Sequence, residues 1–239
     1  LGLSDASPER MEISFKNNSG KEMVHFLIGK NIEGGSGTYV LRTDKEKASI
    51  YLTDKSLYLT TDAPSFLEKE ILNLNQSDIA KIQGPDFLIE DKEGKLVLAD
   101  VPGNKQEKAS EVSKIKGLGT SLSFDSVLVA DDPSLSGLNF QEQFVIELKD
   151  QTGYRFSVAQ KDKDTYIQVE GFHTVKPFQL DPNESEEEVR KKSEILERVN
   201  AIQTFNQFHA TWTYKLPEFS ASKFLLSKKD LIEDKKTDS

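Results

Sequence analysis

Met11-Glu-Ile-Ser-Phe-Lys-Asn-Asn-Ser-Gly20 is echoed late in the chain by Phe144-Val-Ile-Glu-Leu-Lys-Asp-Gln-Thr-Gly153. Apolar residues fall at Met11, Ile13 and Phe15 in one stretch and at Phe144, Ile146 and Leu148 in the other. A period of two is that of a strand with one buried face. Both runs end in a polar turn closed by glycine, and each later reaches a Thr-Tyr pair (Thr38-Tyr39, Thr165-Tyr166) that opens another strand. Alternation, a glycine turn and renewed alternation predict a β-hairpin. Its recurrence predicts two related β-rich modules, with Gly20 and Gly153 as equivalent turn residues.

The intervening segments extend this pattern. Residues 1–10 are polar and contain Pro8, a lead-in expected to be poorly ordered. Met23 to Ile28, Tyr39 to Arg42, Ala48 to Thr53 and Ser56 to Thr60 read as strands of the first module. Pro64 suits the first turn of a short helix carrying Phe66, Leu67 and Ile71. Asp78 to Gln83, Phe87 to Glu90 and Leu96 to Ala99 read as short strands, the last entered through Gly94. Asn104 and Glu107 have capping-box spacing for a helix through Ile115, with Gly117 and Gly119 as stop signals. Leu122 to Val129 reads as a strand before the Asp131-Asp-Pro133 turn.

The clearest helix spans 185–209. Ser185 and Glu188 form a capping box, and the acidic run Glu184 to Glu188 suits the positive end of the helix dipole. Glu186/Arg190, Glu187/Lys191 and Glu188/Lys192 lie one turn apart, and Ile195, Val199, Ile202, Phe205 and Phe208 form an apolar stripe. A strand at Trp212 to Leu216 and a helix from about Ala221 to Ile232 complete the second module. The expected organisation is a lead-in at 1–10, modules at 11–103 and 104–232, and a charged tail at 233–239. The fold class is α+β, with one long helix and short helices packed on the sheets.

Composition narrows the functional classes. A net charge of −9 over 239 residues opposes nucleic-acid binding, which needs clustered Lys and Arg against phosphate. The absence of cysteine excludes disulfides, thiolate-bound metals and thiol catalysis. No run of about 18 apolar residues spans a bilayer, while a start at Leu1 rather than Met leads us to expect a further N-terminal segment.

No constellation points to a reaction. His25, His173 and His209 have no metal-ligand spacing. Asp125, Asp131 and Asp132 lack the calcium-loop pattern and read as turn residues. Gly34-Gly-Ser-Gly37 leads into a strand rather than the helix a phosphate cradle needs, and Gly117-Leu-Gly119-Thr120 lacks the Lys-Ser/Thr ending. Tyr39, Tyr166, Trp212 and Tyr214 lie on predicted strands, where packing is the usual role. Accordingly no catalytic, cofactor-binding or metal-ligating residue is expected, and no cofactor.

Several weak motifs occur in order: Ile28-Gly29-Lys30, the glycine-rich loop into Thr38-Tyr39-Val40, Ile50-Tyr51-Leu52, Ile71-Leu72 with Ile79 and Ile82, and Trp212-Thr-Tyr214-Lys-Leu216-Pro217. Together they resemble a bacterial family labelled only as a domain of unknown function (number forty-three forty), over most of Met11 to Ile232. Members often carry a Trp where this chain has Gly94-Lys-Leu96. The resemblance implies an N-terminal membrane anchor followed by an extracytoplasmic α+β region. Members of the family it resembles are often encoded beside gliding-motility-type ABC transporter components, which implies an accessory, envelope-associated role, and the resemblance brings no catalytic residues. The expectation is a non-enzymatic envelope domain that binds or scaffolds other proteins, periplasmic and tethered only through a preceding segment. The alternative is an envelope carbohydrate-binding module or a carboxylate-based hydrolase.

Overall fold

The computed structural model describes residues 1–43, 48–60, 62–179 and 184–235. The chain is α+β and divides into two compact units, Leu1–Ser65 and Phe66–Ser239. The first holds strands β1 (Met11–Lys16), β2 (Glu22–Asn31), β3 (Thr38–Arg42) and β4 (Ser49–Leu52). They form an antiparallel sheet in the order β1-β2-β3-β4. Cross-strand rows run Met11–Ile28–Val40–Tyr51 and Glu12–Leu27–Leu41–Ile50. Ile28 and Val40 are this unit's buried apolar side chains among the described residues.

The second unit begins with β5 (Glu70–Leu72), β6 (Ile79–Gln83), β7 (Leu88–Lys92), β8 (Lys95–Leu98), β9 (Lys105–Glu107) and helix α1 (Ala109–Lys116). It continues with β10 (Leu122–Ser123), β11 (Ser126–Val129), β12 (Gln141–Leu148), β13 (Thr152–Lys161) and β14 (Asp164–His173). It closes with α2 (Glu186–His209), β15 (Trp212–Lys215), α3 (Glu218–Ala221) and β16 (Ile232–Asp234). An eight-stranded sheet runs β11-β15-β14-β13-β12-β6-β7-β8, flanked by the pairs β10-β5 and β16-β9. Its core is built from Ile82, Ile115, Phe144, Ile146, Phe156 and Leu231, all fully buried.

The division therefore falls at Ser65/Phe66 and not at 103/104. The cause is long-range pairing: β6 bonds to β12, so residues 79–98 join the sheet built by the chain's second half.

Both echoed stretches form hairpins followed by a third antiparallel strand, β1-β2-β3 and β12-β13-β14. In both turns an Asn or Asp side chain accepts the amide two residues on: Asn17 Oδ1 from Ser19 at 3.0 Å, Asp150 Oδ1 from Thr152 at 2.9 Å. The glycines, however, are not equivalent. Gly20 occupies the turn at φ +80°, while Gly153 lies inside β13 opposite Glu147 and Phe172. The second loop is two residues shorter, so its left-handed position falls on Gln151 at φ +71°. One hairpin sits in a self-contained sheet and the other in the middle of a larger one, and the two units are not copies of each other.

Other expectations are corrected locally. The start of the lead-in lies against β2: Leu1 O accepts from Lys30 N at 3.1 Å, and Leu1 and Leu3 stand beside Gly29. Pro64 is the second residue of a 3-10 turn (Ala63–Phe66), and Ile71 belongs to β5. Ser56 to Thr60 is not a strand. Asn104 and Glu107 make no capping box: Glu107 ends β9, its carboxylate accepts from Leu98 N at 2.8 Å, and α1 starts at Ala109. The helix expected over 221–232 is α3, two 3-10 turns and the start of β16. Of the expected tail, Glu233 and Asp234 belong to β16, and 236–239 lie outside the described residues.

The long helix matches its prediction, with the Ser185–Glu188 box formed and Lys191 paired to Glu187 at 2.6 Å. Glu188 is engaged by that box, and Lys192 turns back to Glu184. The buried stripe ends at His209 rather than Phe208, which is 66% exposed. Positions 202, 206 and 209 share the inner face at helical spacing, and 208 does not.

Candidate functional site

Each unit presents a surface that could meet another molecule. In the first unit, the corner after β4 is fixed by Thr38. Its amide donates to Thr53 Oγ1 at 2.8 Å, its carbonyl accepts from Thr53 N at 3.1 Å, and its hydroxyl accepts from Leu57 N at 2.7 Å. Gly37, at φ +127°, makes this approach feasible, since a Cβ there would lie 2.4 Å from Thr53 O. The knot leaves β4 as an edge strand paired with β3.

The two edges of this sheet differ. β1 carries Glu12, Ser14 and Lys16 along its length, the usual protection against stray pairing. β4 is Ser-Ile-Tyr-Leu, with Ile50, Tyr51 and Leu52 each about half exposed and pointing to both faces. Tyr58, 87% exposed, and Leu59 follow close behind. Among the described residues of this unit no helix covers either face of the sheet.

In the second unit, β14 and β15 pair at Tyr166↔Lys215 and Ile167↔Tyr214 and then part. Helix α2 takes over the free edge: Asn206 Oδ1 accepts from Gly171 N at 2.6 Å, and Asn206 Nδ2 donates to Gly171 O at 2.8 Å. A cleft of about 320 Å³ remains, lined by Arg155, Gln168, Glu170, His209 and Trp212 among others. Arg155 lies over the Phe172 ring at 4.0 Å and 4.0 Å from Glu170.

His209 packs on Phe205 with ring centroids 4.1 Å apart, and its Nδ1 meets the Tyr214 hydroxyl at 2.6 Å. Burial lowers the His209 pKa and pushes that of Tyr214 up to about 12. Both are thus neutral at pH 7, so the Tyr214 O–H donates to Nδ1 and the proton of His209 sits on Nε2.

A pH dependence follows. The folded pKa of His209 lies below its unfolded value of about 6.5. Its contribution to stability is therefore whole above that pH and is lost as pH falls through the folded pKa. Between about pH 7 and pH 5 the melting temperature should fall more steeply in the wild type than in His209→Gln. Parallel curves would contradict this.

The remaining candidates disperse. His25 Nδ1 meets Thr43 Oγ1 at 2.6 Å within the first sheet, and His173 ends β14. Asp132 caps a 3-10 turn, accepting from Ser134 N at 2.8 Å, and Ser134 holds its carboxyl below the usual range. Gly34 and Gly37 stay in a loop between strands, Gly117 caps α1, and Gly119 packs against Leu74 and Ile146. Tyr39 lies on β3, Tyr166 on β14, and Trp212 and Tyr214 on β15. Trp212 alone of these lines the cleft. Among the described residues no group of three His, Asp or Glu side chains could hold a metal ion, and no helix is long and apolar enough to cross a membrane.

Residues 1–141 match the model of the family described as Domain of unknown function (DUF4340). The chain belongs to this family. The DUF4340 match takes in the whole first unit, including β4, and stops at the first residue of β12. The His209 cleft and the Trp212–Pro217 motif lie beyond it. No curated protein and no solved structure matches the chain.

Proposed function

We propose that this chain is a non-enzymatic domain of the bacterial cell envelope that binds or scaffolds other proteins, with ABC transporter components as the first partners to test. The observation that carries the reading is β4, an edge strand with three consecutive half-exposed apolar residues inside the family-matched region. An extended partner segment would add to such an edge through main-chain hydrogen bonds, with side-chain contacts giving selectivity. Charged Asp44-Lys-Glu-Lys47 and Asp54-Lys55 bracket the strand in sequence, a pattern that restrains indiscriminate aggregation.

The hydrolase alternative draws less support. Glu170 is the one carboxylate among the residues lining the His209 cleft, where a glycosidase needs two. Among the described residues the carboxyls whose pKa moves are Glu111, Asp132, Glu188 and Asp230. All move down, each beside a Lys or Ser donor, opposite to a general acid.

The test is a double substitution, Ile50→Lys with Leu52→Lys, in the full membrane-tethered protein. Capture of purified transporter components should weaken about tenfold or more, with the circular dichroism spectrum unchanged. Unaltered capture, or turnover of a glycan or ester by the purified chain, would defeat the reading.

A further inference from the structure

A second cleft, of about 550 Å³, opens between α1 and the α3 segment. The hydroxyl-bearing residues Ser113, Thr120, Ser123 and Ser220 line it together with Lys114 and Lys223, and no carboxylate is among its lining residues. In a chain with 40 acidic residues, that is a pronounced local reversal of charge.

Lys223 is its unusual member. It is only 6% exposed, yet among the described residues no carboxylate pairs with it. Lysine is rarely buried to this extent without a counter-charge. Its Nζ donates to Gly117 O at 3.1 Å and lies 4.8 Å from the centre of the Phe219 ring. An ammonium has three protons, so this carbonyl leaves donors for a ligand in the cleft. Gly117 O, at the negative end of α1, also accepts from Thr120 Oγ1 at 3.3 Å. The helix end is thus satisfied without the whole cation. Lys114 already holds Glu111 at 2.8 Å and lends the mouth little net charge.

We propose that this cleft binds a tetrahedral oxyanion, the phosphate or sulfate group of a small ligand, with Lys223 as cationic anchor and the hydroxyls of Ser113, Ser123 and Ser220 as donors, the Thr120 proton being held by Gly117 O. The anion would supply the counter-charge that the fold withholds, and Phe219 would form the apolar wall against the ligand's remaining atoms. Desolvation lowers the Lys223 pKa, in keeping with an amine that lacks its partner.

Inorganic phosphate and glycerol 3-phosphate, titrated separately by calorimetry into the full chain, test this. At least one should bind saturably, and tighter binding of the ester would identify a monoester site rather than one for the free ion. Lys223→Met should raise the Kd about tenfold or more, the usual scale for a lost charged hydrogen bond. If Lys223→Met fails to fold, Ser113→Asp decides, because it places a carboxylate at the exposed mouth without touching the core. Loss of binding in Ser113→Asp supports the site. The absence of saturable binding by either probe, or equal affinity in wild type and a folded variant, overturns it.

Discussion

Phe224→Ala is expected to cost about 3–5 kcal/mol. The ring is 1% exposed and follows α3 in a 3-10 turn, far along the chain from the strands it covers. It meets Phe144 of β12 at 5.2 Å and 78°, and Phe156 of β13 at 5.4 Å and 61°, both edge-to-face. Phe87 extends the cluster, 6.1 Å from Phe144. Truncation removes the transfer energy of a buried aromatic and leaves a hole among rings fixed by sheet pairing, which cannot collapse to fill it. In urea titrations the midpoint should fall with the slope unchanged. Phe208→Ala on the exposed side of α2 serves as the control, with a loss of about 1 kcal/mol or less. Comparable losses for the two variants would mean that the C-terminal segment does not seal the sheet.

The second large effect separates the two echoed glycines. Gly153→Ala should lose about 3 kcal/mol, the upper part of the overpacking range. A Cβ at 153 would sit 2.4 Å from Ile146 O and 2.5 Å from the Phe172 ring, so either the β12–β13 pairing or the ring must move. Displacing Phe172 also disturbs the Arg155 guanidinium stacked on it. Gly20→Ala meets nothing within 4 Å and carries only the cost of a left-handed backbone at φ +80°, about 1 kcal/mol. Denaturation of the two variants side by side checks the difference. Equal losses would restore the equivalence that their sequence positions suggest.

How much could be read in advance depended on the range of the interaction. Ser185 and Glu188 cap α2 because both partners lie within one turn. Glu93 and Gly94, at φ +54° and +83°, form the tight turn between β7 and β8 that glycine at 94 signals. Family membership was also legible, through the order of the first module's motifs. Glu107 misled because its local spacing fits a capping box, while a distant strand, β16, claims β9 instead. Phe208 misled because its apolarity outweighed its angular position, and neutral His209 fills the inner site. The Lys223 cleft had no sequence signal, since its lining comes from two stretches distant in sequence, residues 110–123 and 217–223, that only the tertiary fold brings together.

Local chemistry thus determined the α+β class, the hairpins, the long helix and its cap, and the exclusion of cysteine chemistry. Those features follow from backbone preferences and side-chain periodicity over a few residues. Tertiary structure decided that residues 79–98 join the second unit's sheet, that Gly153 is a packing residue rather than a turn, that β4 is an open edge, and that a lysine is buried without a counter-charge. Each of these depends on which distant strands pair and on what stands opposite a given atom. Periodicity sets which face a side chain takes, and pairing partners alone set what that face meets.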